Sequence, residues 1–264
     1  MLLTDEQYQS FQDNGFLILR GFAKHLNTQA ILDVAQVHLK HKIEPIETEL
    51  GYHQKSKYYR SEVKDYQSIA IEQETTIRRL RQVYHRDILF KNWMENPEIR
   101  PILQQLLNDR VAITIAHHNS IMTKMPHYST PTAWHQDRRY WHYSDDNLLS
   151  VWLALDQEDE HNGVLEFIPK SHKLSFEADQ FDNKEYFRTD HPKNMSLIET
   201  KVSTTLTRGD VVLFHCKLLH RANANRTQKP KISFVYTVKG ASTKVIEGTR
   251  SAAYPEILLD WLDN

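Results

Sequence analysis

Thr132-Ala-Trp-His-Gln-Asp-Arg-Arg-Tyr-Trp141 holds His135 and Asp137 with one residue between them. On an extended chain alternate residues point to the same face, so this imidazole and carboxylate project side by side. Two thirds of a 2-His-1-carboxylate facial triad is thereby in place, the donor set that binds Fe(II) on one side and leaves open positions on the other. The missing nitrogen must come from a distant strand. Gly209-Asp-Val-Val-Leu-Phe-His-Cys-Lys-Leu-Leu-His220 offers two candidates, His215 and His220. His215 directly ends an apolar run, where a histidine bonded to backbone is common, and His220 follows five residues later. Spacing alone leaves both open, with a lean to His220.

Around this stretch the pattern changes character. Before Asn108 the chain reads mainly as helices. Thr4 with Gln7 forms a capping box that opens a helix ending near Gly15, and Phe16–Leu19 follows as a short strand. Helical spacing runs through Ile31, Leu32, Val34, Ala35 and Val37, and further helices are expected over 76–93 and 97–107. Residues 40–75 lack periodicity and read as a loop. After Asn108 the period becomes two, with strands expected near 111–115, 120–125, 135–140, 148–155, 163–168, 210–214 and 231–238. Residues 175–205 read as an irregular insertion and 254–262 as a short terminal helix. The expectation is one α+β domain over 1–264: a helix-rich part (1–110), a double-stranded β-helix or jelly-roll core (111–240) and a tail helix (241–264).

Composition narrows the function classes. The 264 residues carry a formal net charge of -1, which argues against a general nucleic-acid binder or a polybasic membrane-surface protein. No apolar run approaches the roughly 20 residues of a membrane span, and the first residues lack the features of a signal peptide. The single cysteine, Cys216, excludes an internal disulfide or a multi-cysteine zinc site. A cytoplasmic protein acting on a small molecule, monomeric or homodimeric, is expected.

Other residues suggest an anion pocket. Lys231 and Ser233 share one face of their strand while Ile232, Phe234 and Tyr236 face the other way, so a cation and a hydroxyl can jointly hold a carboxylate inside the barrel; a solvated lysine on an edge strand is the plainer alternative. Arg138 and Arg139 follow the metal pair; one facing the pocket can hold an anionic substrate group, while pairing with Asp145 or Asp146 is the plainer alternative. Asn119 and Lys124 lie on the strand leading to the metal loop. Arg78 and Arg81, on the expected helix, share a face that reads best as solvated.

Thr132-Ala-Trp-His-Gln-Asp137, Ser150-Val-Trp-Leu-Ala-Leu155, Asn162-Gly-Val-Leu-Glu-Phe-Ile-Pro-Lys-Ser-His172, and Gly209-Asp through His220 with Asn225-Arg-Thr together resemble the phytanoyl-CoA dioxygenase family. The N-terminal Leu3-Thr-Asp-Glu-Gln and Asn14-Gly-Phe-Leu-Ile-Leu fit as well. The resemblance implies a jelly-roll enzyme using Fe(II), O2 and 2-oxoglutarate, with His135, Asp137 and His220 as iron ligands. It further implies Trp152 near the cosubstrate and a cation at position 231 for the distal carboxylate of 2-oxoglutarate. The family usually has Arg there. Lys lacks the bidentate fork, so Arg226 and Lys124 are alternative partners. The retained carboxylate at Asp137 favours hydroxylation over halogenation. The implied activity is hydroxylation of an unactivated C–H bond in a small anionic metabolite or natural-product intermediate, with succinate and CO2 as co-products. The competing readings are an iron enzyme without 2-oxoglutarate and a cupin-like binding protein; succinate production and metal content separate the three.

Overall fold

The structure is a computed structural model that describes residues 1–54 and 75–263. The first helix, α1 (Asp5–Asn14), is closed by the expected capping box: Thr4 accepts from Gln7 N–H, and the Gln7 side chain reaches back to the Thr4 backbone. Gly15 ends it at φ 82°, a left-handed conformation in which a β-carbon would collide with the His172 ring. The chain turns at once into β1 (Phe16–Leu19), then α2 (His25–Lys40).

Within the expected loop over 40–75, β2 (Ile46–Thr48) and α3 (Glu49–Gln54) form; residues 55–74 lie outside the described part. The single helix expected over 76–93 is instead β3 (Ile77–Arg81), a one-turn 3-10 segment (Val83–His85) and α4 (Ile88–Met94). Tertiary pairing overrides the helical spacing here, because β3 finds edges on both β2 and β4 (Val111–Lys124). Gln82 in a left-handed conformation (φ 54°) then ends the strand, and the Asp87 side chain caps α4 at the Leu89 amide. Arg78 and Arg81 therefore sit on a strand, and Arg78 is buried. The next helix, α5 (Arg100–Leu107), has proline in its first turn at Pro101, and Asn108 closes it at φ 48°.

The remaining strands are β5 (Thr132–His135), β6 (Leu148–Ala154), β7 (Leu165–Phe167), β8 (Val202–Ser203), β9 (Val211–His215), β10 (His220–Ala222), β11 (Lys231–Gly240) and β12 (Glu256–Leu258). Two antiparallel sheets result. One runs β1-β9-β6-β11-β4-β3-β2 with β12 also on β4; the other runs β5-β10-β7-β8. The tail expected to be helical supplies β12, which completes the β4 edge at Ala112–Thr114 with Ile257 opposite Ile113. The insertion over 175–205 contains α6 (Pro192–Glu199).

Alternation on the large sheet builds two cores. Leu149, Val151 and Leu153 on β6 and Ile232, Phe234, Tyr236 and Val238 on β11 pack beneath the helices. Trp152, Ala154 and Val235 face the other way, toward Leu165, Phe167, Phe214 and Ala222 between the two sheets. Lys231 and Ser233 are on that inner face, as the period of two requires. Opposite β11, pairing on β4 jumps from Asn119 to Thr114, so residues 115–118 bulge. No helix among the described residues is long and apolar enough to cross a membrane.

Candidate metal centre

His135 and His220 are register partners across β5 and β10, so strand pairing alone places their rings together, with centroids 4.2 Å apart. The strand expected over 135–140 stops at His135, and Asp137 opens a 3-10 turn (Asp137–Tyr140). Gln136 keeps extended angles (φ -110°, ψ 135°), which carries the alternation one residue past the strand and returns Asp137 to the face of His135. The Asp137 Oδ1 lies 3.8 Å from His135 Nε2 and 3.7 Å from His220 Nε2. All three side chains are buried, and their ligand atoms fall within 4.8 Å of one another.

The surroundings fit a divalent metal. Each imidazole places Nδ1 against a backbone carbonyl, His135 on Ala133 O at 2.8 Å and His220 on Leu218 O at 2.9 Å, which leaves both Nε2 lone pairs aimed inward. Asp137 is oriented from two sides. His118 Nε2 lies 2.9 Å from Oδ1, and Ser150 Oγ donates to Oδ2 at 3.0 Å. Burial lowers the His135 pKa well below its ordinary value, with the neighbouring His220 adding to it, and burial likewise lowers that of His220. For Asp137, burial favours the neutral acid, but His118, His220 and His135 outweigh it and hold the carboxyl below its ordinary range. Two neutral imidazoles and a carboxylate form the ligand set of a facial iron site.

The pocket over this centre lies between the sheets, with a cavity of about 100 Å³. Trp152, Lys124, Lys231, Arg78, Arg139 and Tyr52 are among the residues that line it. Lys231 and Ser233 do converge on a carboxylate, but it is the chain's own: Glu158, which also takes the Trp152 indole N–H. Lys124 stands across from Lys231 and donates to Thr130 O at 2.6 Å. Arg139 reaches the pocket, stacked over Tyr140 and Tyr186 at 4.1 and 3.9 Å. Arg138 points away, bonded to Asp146 and the Tyr143 carbonyl. Asn119 accepts from the Tyr84 amide and lines a neighbouring cavity of about 300 Å³, not the metal pocket. Arg226 is exposed and lines neither. His215 accepts from the Lys217 amide and lies tilted against the His172 ring, apart from the metal group.

Sequence reasoning missed three participants. Glu158 sits at an isolated bridge to Leu206 with no local pattern, His118 reaches Asp137 from the β4 bulge, and Ser150 is one hydroxyl within an apolar strand. Arg78 was expected on a solvated face; it is buried against Glu49 at 2.8 Å and lies over the Tyr52 ring at 3.7 Å. Only the bulge had a signal in principle, since the adjacent His117-His118 interrupts an otherwise apolar alternation.

A two-sheet barrel presenting two histidines and one carboxylate at paired strand ends defines a facial-triad metalloenzyme. The family model described as phytanoyl-CoA dioxygenase (PhyH) matches residues 11–233. The chain belongs to this family of iron- and 2-oxoglutarate-dependent oxygenases. Among curated relatives, peroxisomal phytanoyl-CoA dioxygenase of Bos taurus is 21% identical over 86% of this chain, which spans 66% of that protein. A probable alpha-ketoglutarate-dependent hypophosphite dioxygenase of Stutzerimonas stutzeri is 25% identical over 84% of this chain and 73% of its own length. The fold matches EctD from S. alaskensis with bound Fe at TM-score 0.72 and 20% identity, covering 98% of this chain and 87% of that one. It also matches the epimerase SnoN with Fe3+ and alpha ketoglutarate at TM-score 0.72 and 16% identity, covering 98% and 96%. Iron and 2-oxoglutarate are thus bound by proteins of this fold.

Proposed function

We propose that this chain hydroxylates an unactivated C–H bond of a small anionic molecule, converting 2-oxoglutarate to succinate and CO2. The observation that carries the reading is the intact, preorganised triad: His135, Asp137 and His220 gathered in a buried pocket that cations line. When bound, iron with 2-oxoglutarate and O2 supplies the oxidising chemistry, which side chains alone cannot. The chain's part is to hold and aim. His135 and His220 keep fixed tautomers through Ala133 O and Leu218 O. Ser150 and His118 hold the Asp137 carboxylate in place, so that the open side of the centre faces the pocket.

Arg139 supports the anionic character of the substrate. Its guanidinium hydrogen-bonds the backbone carbonyls of Lys184 and Glu185, with no carboxylate in ion-pair range among the described residues. It lies at the wall shared with Tyr140 and Tyr186, near the metal group. Hydroxylation is favoured over halogenation because the Asp137 carboxylate would itself serve as a metal ligand, leaving no place for a halide. Epimerisation, the activity in SnoN's printed description, would return a product without a new oxygen atom.

The test is succinate formation from 2-oxoglutarate by the Fe(II)-loaded protein, screened with small carboxylates and phosphonates, with products analysed by mass under 18O2. Incorporation of one labelled oxygen, lost in Asp137→Ala, is the expected result. Turnover with an isomeric, unlabelled product would replace hydroxylation with epimerisation.

A further inference from the structure

Glu158 is fully buried. Its Oε2 lies 3.0 Å from Lys231 Nζ, and its Oε1 accepts from Ser233 Oγ at 2.6 Å. The Trp152 indole N–H points at both carboxylate oxygens, at 3.1 and 3.3 Å. Lys231 and Ser233, expected to hold the distal carboxylate of 2-oxoglutarate, and Trp152, expected near the cosubstrate, are therefore closed around a carboxylate already present. A second carboxylate on the same donors would sit against a buried like charge. Displacing Glu158 would strand a buried anion in the apolar layer between the sheets.

The remaining cations of the pocket show where a second carboxylate goes. Arg78 pairs with Glu49 at 2.8 Å, Arg79 with Glu47 at 2.6 Å, Lys231 with Glu158, and Arg221 with Glu166. Arg139 has no carboxylate partner among the described residues either, but the Lys184 and Glu185 carbonyls hold its guanidinium at the Tyr140 and Tyr186 wall, assigned above to the substrate. Lys124 is as buried as these, and its ammonium group meets only the neutral Thr130 carbonyl; among the described residues it pairs with no carboxylate. It lies directly across the β4–β11 ladder from Lys231 and lines the same cavity as His135 and His220. Burial, with Arg78 nearby, lowers its pKa well below the ordinary lysine value, so an anion arriving beside it would be what holds the proton on it. Charge balance agrees. A divalent ion on Asp137 and two neutral histidines leaves one positive charge, a protonated Lys124 adds a second, and 2-oxoglutarate brings two negative ones.

We propose that Glu158 closes the Lys231 seat from within and that Lys124 receives the distal carboxylate of 2-oxoglutarate in this chain. This rests on the 2-oxoglutarate reading above. Lys124 is then the cosubstrate-selecting residue, and the Lys231–Glu158 pair is a neutral structural plug beneath it.

The test is calorimetric titration of the Mn(II)-loaded protein, without O2 turnover, with 2-oxoglutarate and with 2-oxobutyrate, which keeps the chelating end but lacks the distal carboxylate. Lys124→Met, and Lys124→Gln in case the first folds poorly, should weaken 2-oxoglutarate binding at least about tenfold, the usual worth of a charged hydrogen bond. Both should leave 2-oxobutyrate and Mn(II) binding unchanged, and Lys124→Arg should restore much of the loss. The double variant Glu158→Gln/Lys231→Met removes the plug without orphaning a charge and should bind 2-oxoglutarate nearly as the wild type does. The reverse pattern, loss in the double variant and retention in Lys124→Met and Lys124→Gln, overturns the proposal and returns the role to Lys231. Wild-type protein that takes up Mn(II) but binds neither oxo acid overturns the 2-oxoglutarate reading itself, and this proposal with it.

Discussion

The pocket has two ends built on opposite principles. At the metal end, strand register gathers His135 and His220, the extended Gln136 brings Asp137 to them, and carbonyls, the Ser150 hydroxyl and His118 hold the three in place. At the far end, Lys231, Ser233 and Trp152 converge just as closely but are satisfied by Glu158. Convergent polar groups mark a binding site only when their hydrogen-bonding capacity is unspent. Of these two groups, only the metal triad leaves its ligand atoms free.

Breaking the metal end should have the largest effect. His135→Ala or Asp137→Ala removes a direct donor, and Fe(II) or Mn(II) affinity should fall by more than about a hundredfold, beyond the loss typical of outer-sphere changes; metal titration reads it. Breaking the far end should instead register as stability. Glu158→Ala leaves Lys231 buried without a partner and should cost about 3–5 kcal/mol in denaturant unfolding, whereas Glu158→Gln/Lys231→Met should recover most of that. A smaller change separates support from ligation: Ser150→Ala should reduce metal affinity by about 10–100-fold with little loss of fold.

The smallest effect concerns acid. Burial holds the His215 pKa down to about 4 and those of His117 and His135 well below the ordinary value. The unfolded chain takes up these protons near pH 6.5, while the folded chain resists until lower pH. Metal-free stability should therefore be flat above about pH 6.5 and decline as pH falls toward 4. Metal should offset part of this decline, because it competes with protons for His135 and His220. A metal-free protein whose melting temperature stays flat between pH 7 and pH 5 would contradict this reading of the buried histidines.

What could be read from the sequence follows the same division. The H-x-D spacing and the short strands after Asn108 depend on local periodicity, and the triad, β6, β9 and β11 appear where expected. The face shared by Lys231 and Ser233 was legible for the same reason. Elements whose form depends on a remote edge were not. Residues 77–81 have apolar positions spaced for a helix yet pair as β3, and the tail forms β12 because β4 offers an unpaired edge at Ala112–Thr114. Glu158 belongs to this second group: nothing in Asp156-Gln-Glu-Asp-Glu160 marks one acid as buried, and only the assembled barrel brings it to Lys231. His118 is legible only once β4 is known to bulge at 115–118.

The most direct test of the account is anaerobic titration of the Fe(II)-loaded protein with 2-oxoglutarate, followed by visible absorption. Chelation at a facial triad should produce a broad metal-to-ligand charge-transfer band that saturates with 2-oxoglutarate and is absent in His135→Ala. Protein that binds Fe(II) yet shows no such band at saturating 2-oxoglutarate would contradict the account, leaving a metal site on this fold that does not use the cosubstrate.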